Sequence, residues 1–362
     1  MLNTLGYFCL CLLASLAMAC GSSAADESEV LISLTDTVIV PGYEATAAAS
    51  SELRETLEDL CASPTDASLN TAQQAWRDAR APVMRSEATW FGPFVDRRSE
   101  GLMAWPQTDP ERIEAMLVNN PATTEDDVRN GLASTQRGLG AIEYLLFAPD
   151  ALDLLSDSSS SRCGYLIALG LLIESEANSV LETWTKGEDG DVPYSGYFTG
   201  RASSSLITTQ AVAELVRTQV FLTRTLVDMH LAAALGLREG GPDLSAIPGG
   251  DGFNALDDLR NEVLGLRDMY VGADGDDGLG ISDIVKGLSA ETDERMRESF
   301  ENSLKAIDAV EGPLRVAVSE RPEQVQAVYD RLRDLQVTLN TEVVSLLGVS
   351  VGFSDTDGDS MR

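Results

Sequence analysis

The chain has 362 residues, of which 44% are hydrophobic and 6% are aromatic. A chain of this length and hydrophobic content can bury a large core, which excludes an intrinsically disordered protein. Its 58 acidic and 26 basic residues give a formal charge of −32, which excludes nucleic acid and electrostatic docking on anionic lipid, because both need a basic face. The same charge suits an exported protein or one that attracts cations, although solubility alone also accounts for it.

The first predicted element is a signal peptide. Leu5 to Ala19 forms an apolar segment of signal-peptide length, shorter than a membrane-spanning helix. Its end, Leu16-Ala17-Met18-Ala19-Cys20, resembles the lipobox of bacterial lipoproteins, in which the cysteine is lipidated. The alternative is an ordinary cleaved signal followed by a chance cysteine.

The lipobox resemblance implies where the protein resides. It predicts a signal peptide at residues 1–20, a lipid on Cys20 and a tether at residues 21–40. Gly21 replaces the aspartate that favours inner-membrane retention. We therefore expect a protein of the bacterial cell envelope, anchored to the outer membrane and facing the periplasm or the cell surface.

The mature chain is predicted to be all-α, because apolar residues recur at three- and four-residue spacing and strand-like alternation occurs only around Val30 to Val40. The predicted architecture is two helical bundles, an N-terminal bundle at 41–186 and a C-terminal bundle at 206–350. A segment rich in Gly, Asp and Tyr predicts a linker at 187–205, and residues 351–362 form an acidic tail. The longer predicted helices are Tyr43 to Leu60, Asn70 to Trp90, Cys163 to Trp184, Leu206 to Leu237, Ala255 to Tyr270, Ile281 to Leu288, Thr292 to Val310 and Pro322 to Leu347.

Two cysteines remain in the body of the protein after export, Cys61 and Cys163. An exported compartment is oxidising, so the simplest prediction is one disulfide between them. It would close a loop of about a hundred residues and stabilise the fold by about 4 kcal/mol in the chain-entropy model. The alternative is two buried free thiols.

The segment from Gly138 to Phe147 resembles the signature of the imelysin-like family, G-x-H-x-x-E followed by an apolar run. Gly138 and Glu143 match the first glycine and the glutamate, but Gly140 stands where the family has its proposed metal-ligating histidine. Four further segments resemble the family: Trp76 to Pro82 with Glu87, Trp105-Pro106, Arg162 to Leu166, and the tail from Gly352 to Asp359.

The resemblance implies two helical bundles in an exported or envelope-attached protein. It also implies a link to iron uptake, known in several branches of the family, and a disputed peptidase activity.

The candidate binding residues are Arg80, Glu87 and Glu143. A buried carboxylate is costly without a partner, so we expect Arg80 to pair with Glu143 or with Glu87; a ligand-binding role is the alternative. A histidine and a glutamate three residues apart on a helix can hold a transition metal, but glycine supplies no ligand. Glu87 and Glu143 are therefore only weak metal candidates, for iron or another divalent ion. Gly138 and Gly140 are best explained by a helix break or a closely packed neighbour.

The remaining candidates for a metal or catalytic site are better explained by structural roles. His230 is the only histidine, which excludes an H-E-x-x-H zinc peptidase and favours a core residue. Asp355 to Ser360 and Asp274 to Gly278 are oxygen-rich like calcium loops but more typical of solvated turns.

Three functional hypotheses follow, with no residue assigned as catalytic. The first is an envelope binding component associated with iron or other metal uptake and without catalysis. The second is a metal-dependent peptidase. The third is a surface protein that binds an envelope partner and has lost metal binding.

Overall fold

The computed structural model describes residues 25–188, 190–202, 205–248, 254–273 and 278–351. All regular secondary structure in these ranges is helical, which confirms the all-α prediction. The α-helices before the predicted linker are α1 (Glu27–Leu34), α2 (Val40–Ala62), α3 (Asp66–Arg85), α4 (Pro93–Asp96), α5 (Glu100–Met103), α6 (Pro110–Asn119), α7 (Glu125–Gly131), α8 (Leu139–Phe147), α9 (Ala151–Ser156) and α10 (Arg162–Thr185). Those that follow are α11 (Tyr194–Phe198), α12 (Thr208–Arg224), α13 (Ala232–Ala234), α14 (Ala255–Val271), α15 (Ile281–Leu288), α16 (Ala290–Asp308), α17 (Leu314–Glu320), α18 (Pro322–Thr338) and α19 (Val344–Leu346).

Six shorter helical segments complete the described part of the fold. The π-helical segments are Thr35–Ile39, Thr225–Leu231 and Leu339–Val343, and each continues the α-helix before it. The 3₁₀ turns are Ser86–Thr89, Ser134–Gln136 and Leu244–Ala246. The predicted signal peptide, Cys20 and residues 352–362 lie outside the described ranges.

Residues 27–40 are helical, so the tether does not extend to residue 40 and the strand-like pattern at Val30 to Val40 was misleading. Val30, Leu31 and Leu34 are buried on one side of α1, at the spacing of an amphipathic helix. The π segment joins α1 to α2, with the Val40 N–H donating to the Thr35 carbonyl five residues back. This wider turn accommodates Pro41, which lacks an N–H and would crowd a regular α-helical turn.

The predicted disulfide between Cys61 and Cys163 is present and joins the end of α2 to the start of α10, with Cα atoms 5.5 Å apart. Helix α10 is long and apolar enough to cross a membrane by composition, but it packs along α2. Buried residues such as Leu169, Leu172 and Ile173 place it in the protein core.

Helix α3 joins the two halves of the chain, since it packs against α2 on one side and α14 on the other. Gly265 of α14 permits the approach, because a Cβ there would lie 2.0 Å from the Arg85 carbonyl oxygen. Helices α16 and α18 pack together beyond α14, and the apolar core is continuous across both halves. The predicted linker contains α11, whose Phe198 is fully buried and packs against Trp184.

Candidate functional site

The signature segment forms α8, and its two glycines have structural roles. Gly138 precedes the helix with φ +81°, a conformation that favours glycine, and a Cβ there would lie 2.6 Å from the Met103 carbonyl oxygen. At Gly140, a Cβ would lie 2.4 Å from the Thr108 hydroxyl oxygen. Thr108 therefore occupies the space that a side chain at position 140 would need.

The segment from Trp76 to Pro82 lies on α3 and contacts the signature helix. The Trp76 Nε1–H donates to the Leu139 carbonyl at 2.9 Å, which fixes the start of α8 against α3. One turn further along α3, the Arg80 guanidinium lies 5.4 Å from the centre of the Trp76 ring. This cation–π contact orients Arg80 in the interior.

The hydrogen-bonded partner of Arg80 is Asp258 of α14, and not the predicted Glu87 or Glu143. The Arg80 Nε–H lies 2.8 Å from both Asp258 carboxylate oxygens, and both side chains are 6% exposed. The Asn254 amide donates to the same carboxylate at 3.0 Å. Burial opposes the charge on Arg80, but attraction to Asp258 and then to Glu143 raises the pKa of Arg80 overall.

Glu143 and Glu87 belong to different elements near this ion pair and line different pockets. Glu143 is buried on α8, 6% exposed, and acts on Arg80 electrostatically. Glu87, on the 3₁₀ turn after α3, is within hydrogen-bonding reach of Glu262 on α14. Burial raises the pKa of Glu87 to about 7, and burial with the charges of Glu87 and Asp258 raises the pKa of Glu262 well above its ordinary value. Both carboxyls therefore hold a proton more tightly than an exposed glutamate does.

A cleft of about 440 Å³ opens beside the signature helix. Gly140 and Glu143 line one wall, Thr108 lies beside them, and Ile247 and Arg315 from the second half close the opposite side. The Arg315 Nη2–H donates to the Ile247 carbonyl at 2.8 Å, which holds its guanidinium at the cleft. The cleft has the size and the few polar groups of a small-molecule site.

The resemblance to the imelysin-like family implies a metal, but the side chains that the structure describes at this cleft do not form a resident metal centre. Position 140 supplies no imidazole, and the described ranges contain no group of three His, Cys, Asp or Glu side chains arranged to hold an ion. Glu143 lines the cleft, whereas Glu87 lines a separate pocket, so the two metal candidates do not form one ligand set.

His230 lies on the π segment Thr225–Leu231, next to a cavity of about 30 Å³ that Asp258 and Glu262 also line. Burial lowers its pKa to about 4, so the imidazole is neutral near pH 7.

Asp258 and Glu262 were not predicted from the sequence as site residues. Their four-residue spacing places them on one face of α14, where both are buried, 4% and 6% exposed. Two acids on the inner face of an amphipathic helix, whose other inner residues are apolar except for the buried Asp268, were a usable signal of a buried polar site. The oxygen-rich Asp274 to Gly278 lies mostly outside the described residues, and Asp355 to Ser360 lies wholly outside them.

Comparisons with known proteins agree with this architecture. Iron-regulated protein A of Synechococcus elongatus is 27% identical over 339 residues, which cover 88% of each chain. A crystal structure of an iron-regulated protein A precursor from Parabacteroides distasonis matches with a TM-score of 0.76 at 21% identity, covering 91% of this chain and 97% of that one. A crystal structure of an imelysin-like protein from Psychrobacter arcticum matches with a TM-score of 0.72 at 14% identity, covering 91% of this chain and 99% of that one.

At these identities the two crystal structures support the fold alone. The sequence model of imelysin, peptidase family M75, matches residues 39–339. This match spans more than half of the chain and includes α3, the signature helix and α14. The chain therefore belongs to the imelysin family.

Proposed function

We propose that the protein is a non-catalytic binding component of the bacterial cell envelope that takes up iron, or another metal, as a hydrated or chelated ion. In this proposal a lipid on Cys20 anchors it to the outer membrane. The iron-regulated name of the relative in Synechococcus elongatus supports the choice of iron.

The observation that carries the proposal is the cleft at Glu143. It contains a buried carboxylate beside the Thr108 hydroxyl, and its 440 Å³ greatly exceeds the volume of a bare ion. An outer-sphere contact suits this site, because Glu143 can accept hydrogen bonds from metal-bound water without entering the coordination shell. Arg315 at the same cleft disfavours a bare dication and favours a chelate that carries carboxylates of its own.

Metal analysis of the purified mature chain tests the proposal. The protein is incubated separately with iron(II), zinc(II), calcium(II) and iron(III) citrate, and the metal retained after desalting is measured. We expect retained iron in the unmodified chain and at least a tenfold loss of affinity in Glu143→Gln, since a charge-assisted hydrogen bond is removed. Glu111→Gln, an exposed residue of α6, is the matched control.

Two results would oppose the proposal. Retention of no metal, or equal retention in Glu143→Gln and the control, contradicts the binding role. Degradation of casein by the metal-loaded protein supports the alternative, a peptidase. Lipid labelling of the unmodified chain in its host, abolished by Cys20→Ser, tests the anchor.

A further inference from the structure

A second and larger pocket, of about 730 Å³, has Glu87 in its lining and shares no lining residue with the Glu143 cleft. We call it the arginine pocket and define it by Trp90, Arg98, Trp105, Arg137, Arg217 and Phe221. Its walls come from the turn after α3, the segments around α4 and α5, and helix α12. The site at Glu143 uses none of these side chains.

The arginines of this pocket are unusual for a chain with a formal charge of −32. Most arginines in the described ranges form ion pairs with Asp or Glu, but no carboxylate of those ranges lies within 4 Å of the guanidinium nitrogens of Arg98, Arg137 or Arg217. Glu214 interacts with Arg217 only at longer range. In so acidic a protein, three arginines at one pocket that form no ion pair with a described carboxylate indicate a site for an anion.

Backbone carbonyls hold two of these guanidinium groups in place. The Arg137 Nε–H donates to the Gly101 carbonyl at 2.8 Å, and its Nη1 donates to the Arg129 carbonyl. The Arg217 Nε–H donates to the Ser350 carbonyl at 3.0 Å. Carbonyl bonds orient a guanidinium without cancelling its charge, so both groups are preorganised for a carboxylate ligand.

Arg98 adds backbone strain at the same place. Its φ of +57° makes it the one non-glycine residue with positive φ in the described ranges. Such a conformation costs free energy and is concentrated at functional sites. An asparagine or glycine would relieve the strain, so the presence of arginine points to a use for its side chain.

The pocket also presents aromatic surface. Trp90 and Phe94 stack with ring centres 4.5 Å apart, and Trp105 and Phe221 are 37% and 67% exposed. Exposed aromatic rings beside cations suit a flat, apolar ligand that carries negative charge. Glu87 and Glu100 also line the pocket and disfavour a highly charged anion such as a phosphate ester.

We propose that the arginine pocket binds an aromatic monocarboxylate. The ring packs against Trp105 and Phe221, and the carboxylate accepts hydrogen bonds from Arg98 and Arg217. This site is separate from the Glu143 cleft, so the proposal does not depend on metal binding.

Titration with 2-naphthoate, followed by tryptophan fluorescence and calorimetry, tests the proposal on the full mature chain. Trp90 and Trp105 are two of the four tryptophans, so a ligand in the pocket changes the emission. We expect 2-naphthoate to bind at least tenfold more tightly than the neutral 2-naphthamide or than acetate, because the amide lacks the charge and acetate lacks the ring.

Three variants and a control test whether 2-naphthoate binds in the arginine pocket. Arg98→Gln and Arg217→Gln each weaken binding about tenfold, and Phe221→Ser weakens it by a similar factor. None of the three side chains lies in the buried core, so the melting temperature should stay unchanged. Arg331→Gln removes an exposed arginine whose partner is Asp334 and leaves binding unchanged. Failure of 2-naphthoate to bind, equal binding of the amide, or an equal loss in Arg331→Gln would each overturn the proposal.

Discussion

Arg80 and Asp258 are 178 residues apart in the sequence, and their side chains form a buried, hydrogen-bonded ion pair between α3 and α14. The pair joins the two halves of the chain at the point where the signature helix also contacts α3. Asn254 and the Trp76 ring hold the two charges in place. The polar centre of this protein is therefore an ion pair that the signature segment borders but does not supply.

Removal of one partner from this pair should be strongly destabilising. In Arg80→Gln the buried Asp258 carboxylate loses its counter-ion, and we expect a loss of about 3–5 kcal/mol in the free energy of unfolding. Chemical denaturation of the purified variants measures it. Arg260→Gln is the control on the same helix as Asp258, because Arg260 and Asp308 form an exposed pair and its loss should cost less than ~1 kcal/mol. Equal losses in the two variants would contradict the structural role of the buried pair.

We expect the Glu87 carboxyl to make the stability of the fold depend on pH. Its folded pKa of about 7 lies above its ordinary value of 4.5, so the folded state holds the proton more tightly than the unfolded state. This contribution to stability is complete below pH 4.5 and is lost as the pH rises through 7. Burial is the main cause of this shift, the charges of Glu100 and Asp258 add to it, and the hydrogen bond with Glu262 and the charge of Arg80 offset it only in part.

Glu87→Gln mimics the protonated acid and should remove the loss of stability that occurs as the pH rises. Relative to the unmodified protein, the variant should gain melting temperature between about pH 5 and pH 8. His230→Gln provides a contrast of opposite sign, since the folded pKa of His230 is lowered to about 4 and its contribution is lost as the pH falls from 6.5. The melting temperature of His230→Gln should exceed that of the unmodified protein at about pH 4 to 5. Parallel melting curves for Glu87→Gln and the unmodified protein would show that the buried proton is absent.

The disulfide should contribute substantially to stability. Cys61 and Cys163 are 102 residues apart, and closing such a loop restricts the unfolded chain. We expect Cys61→Ser/Cys163→Ser to lose about 4 kcal/mol in the free energy of unfolding. Denaturation with and without reductant measures this effect, and the double variant should be insensitive to reductant. Two alkylatable thiols in the untreated mature protein would rule out the bridge.

Local patterns in the sequence predicted much of the fold. Ile281 to Leu288 was predicted as a helix and is α15, because its apolar residues repeat at helical spacing between turn residues. The prediction stopped at Pro41-Gly42, although the helix continues back to Glu27 through a π turn. A breaker residue indicates where a regular turn is unfavourable, but it does not reveal that tertiary packing stabilises an irregular turn there.

The residues that pair with Arg80 could not be predicted in the same way. Arg80 was singled out, but the sequence contains many acids and offers no rule that selects Asp258, since that choice depends on how α14 crosses α3. The arginine pocket is assembled from separate segments for the same reason. Only the absence of histidine at Gly140 was visible directly, and the structure adds that the Thr108 hydroxyl occupies the space beside it.

Gly140 stands where the family signature has histidine, and Thr108 packs against it. A side chain at position 140 must displace the Thr108 hydroxyl, whose oxygen lies 2.4 Å from the point that a Cβ on Gly140 would occupy. We expect Gly140→His to cost about 1–3 kcal/mol by overpacking. The same change in a Thr108→Ala background should cost less, with a coupling of about 1 kcal/mol in a double-mutant cycle. Chemical denaturation of the four proteins measures the coupling.

The double variant Gly140→His/Thr108→Ala also tests why the family histidine is absent. An imidazole at position 140 and the Glu143 carboxylate lie three residues apart on α8, so they share one face and can together bind a transition metal. We expect Gly140→His/Thr108→Ala to retain zinc(II) more tightly than Thr108→Ala alone, and the gain should disappear when Glu143→Gln is added. An equal cost of Gly140→His in both backgrounds would show that Thr108 is not what excludes the side chain. A gain in zinc affinity that survives Glu143→Gln would place the new ligand set elsewhere, because the effect requires both side chains on the same helix face.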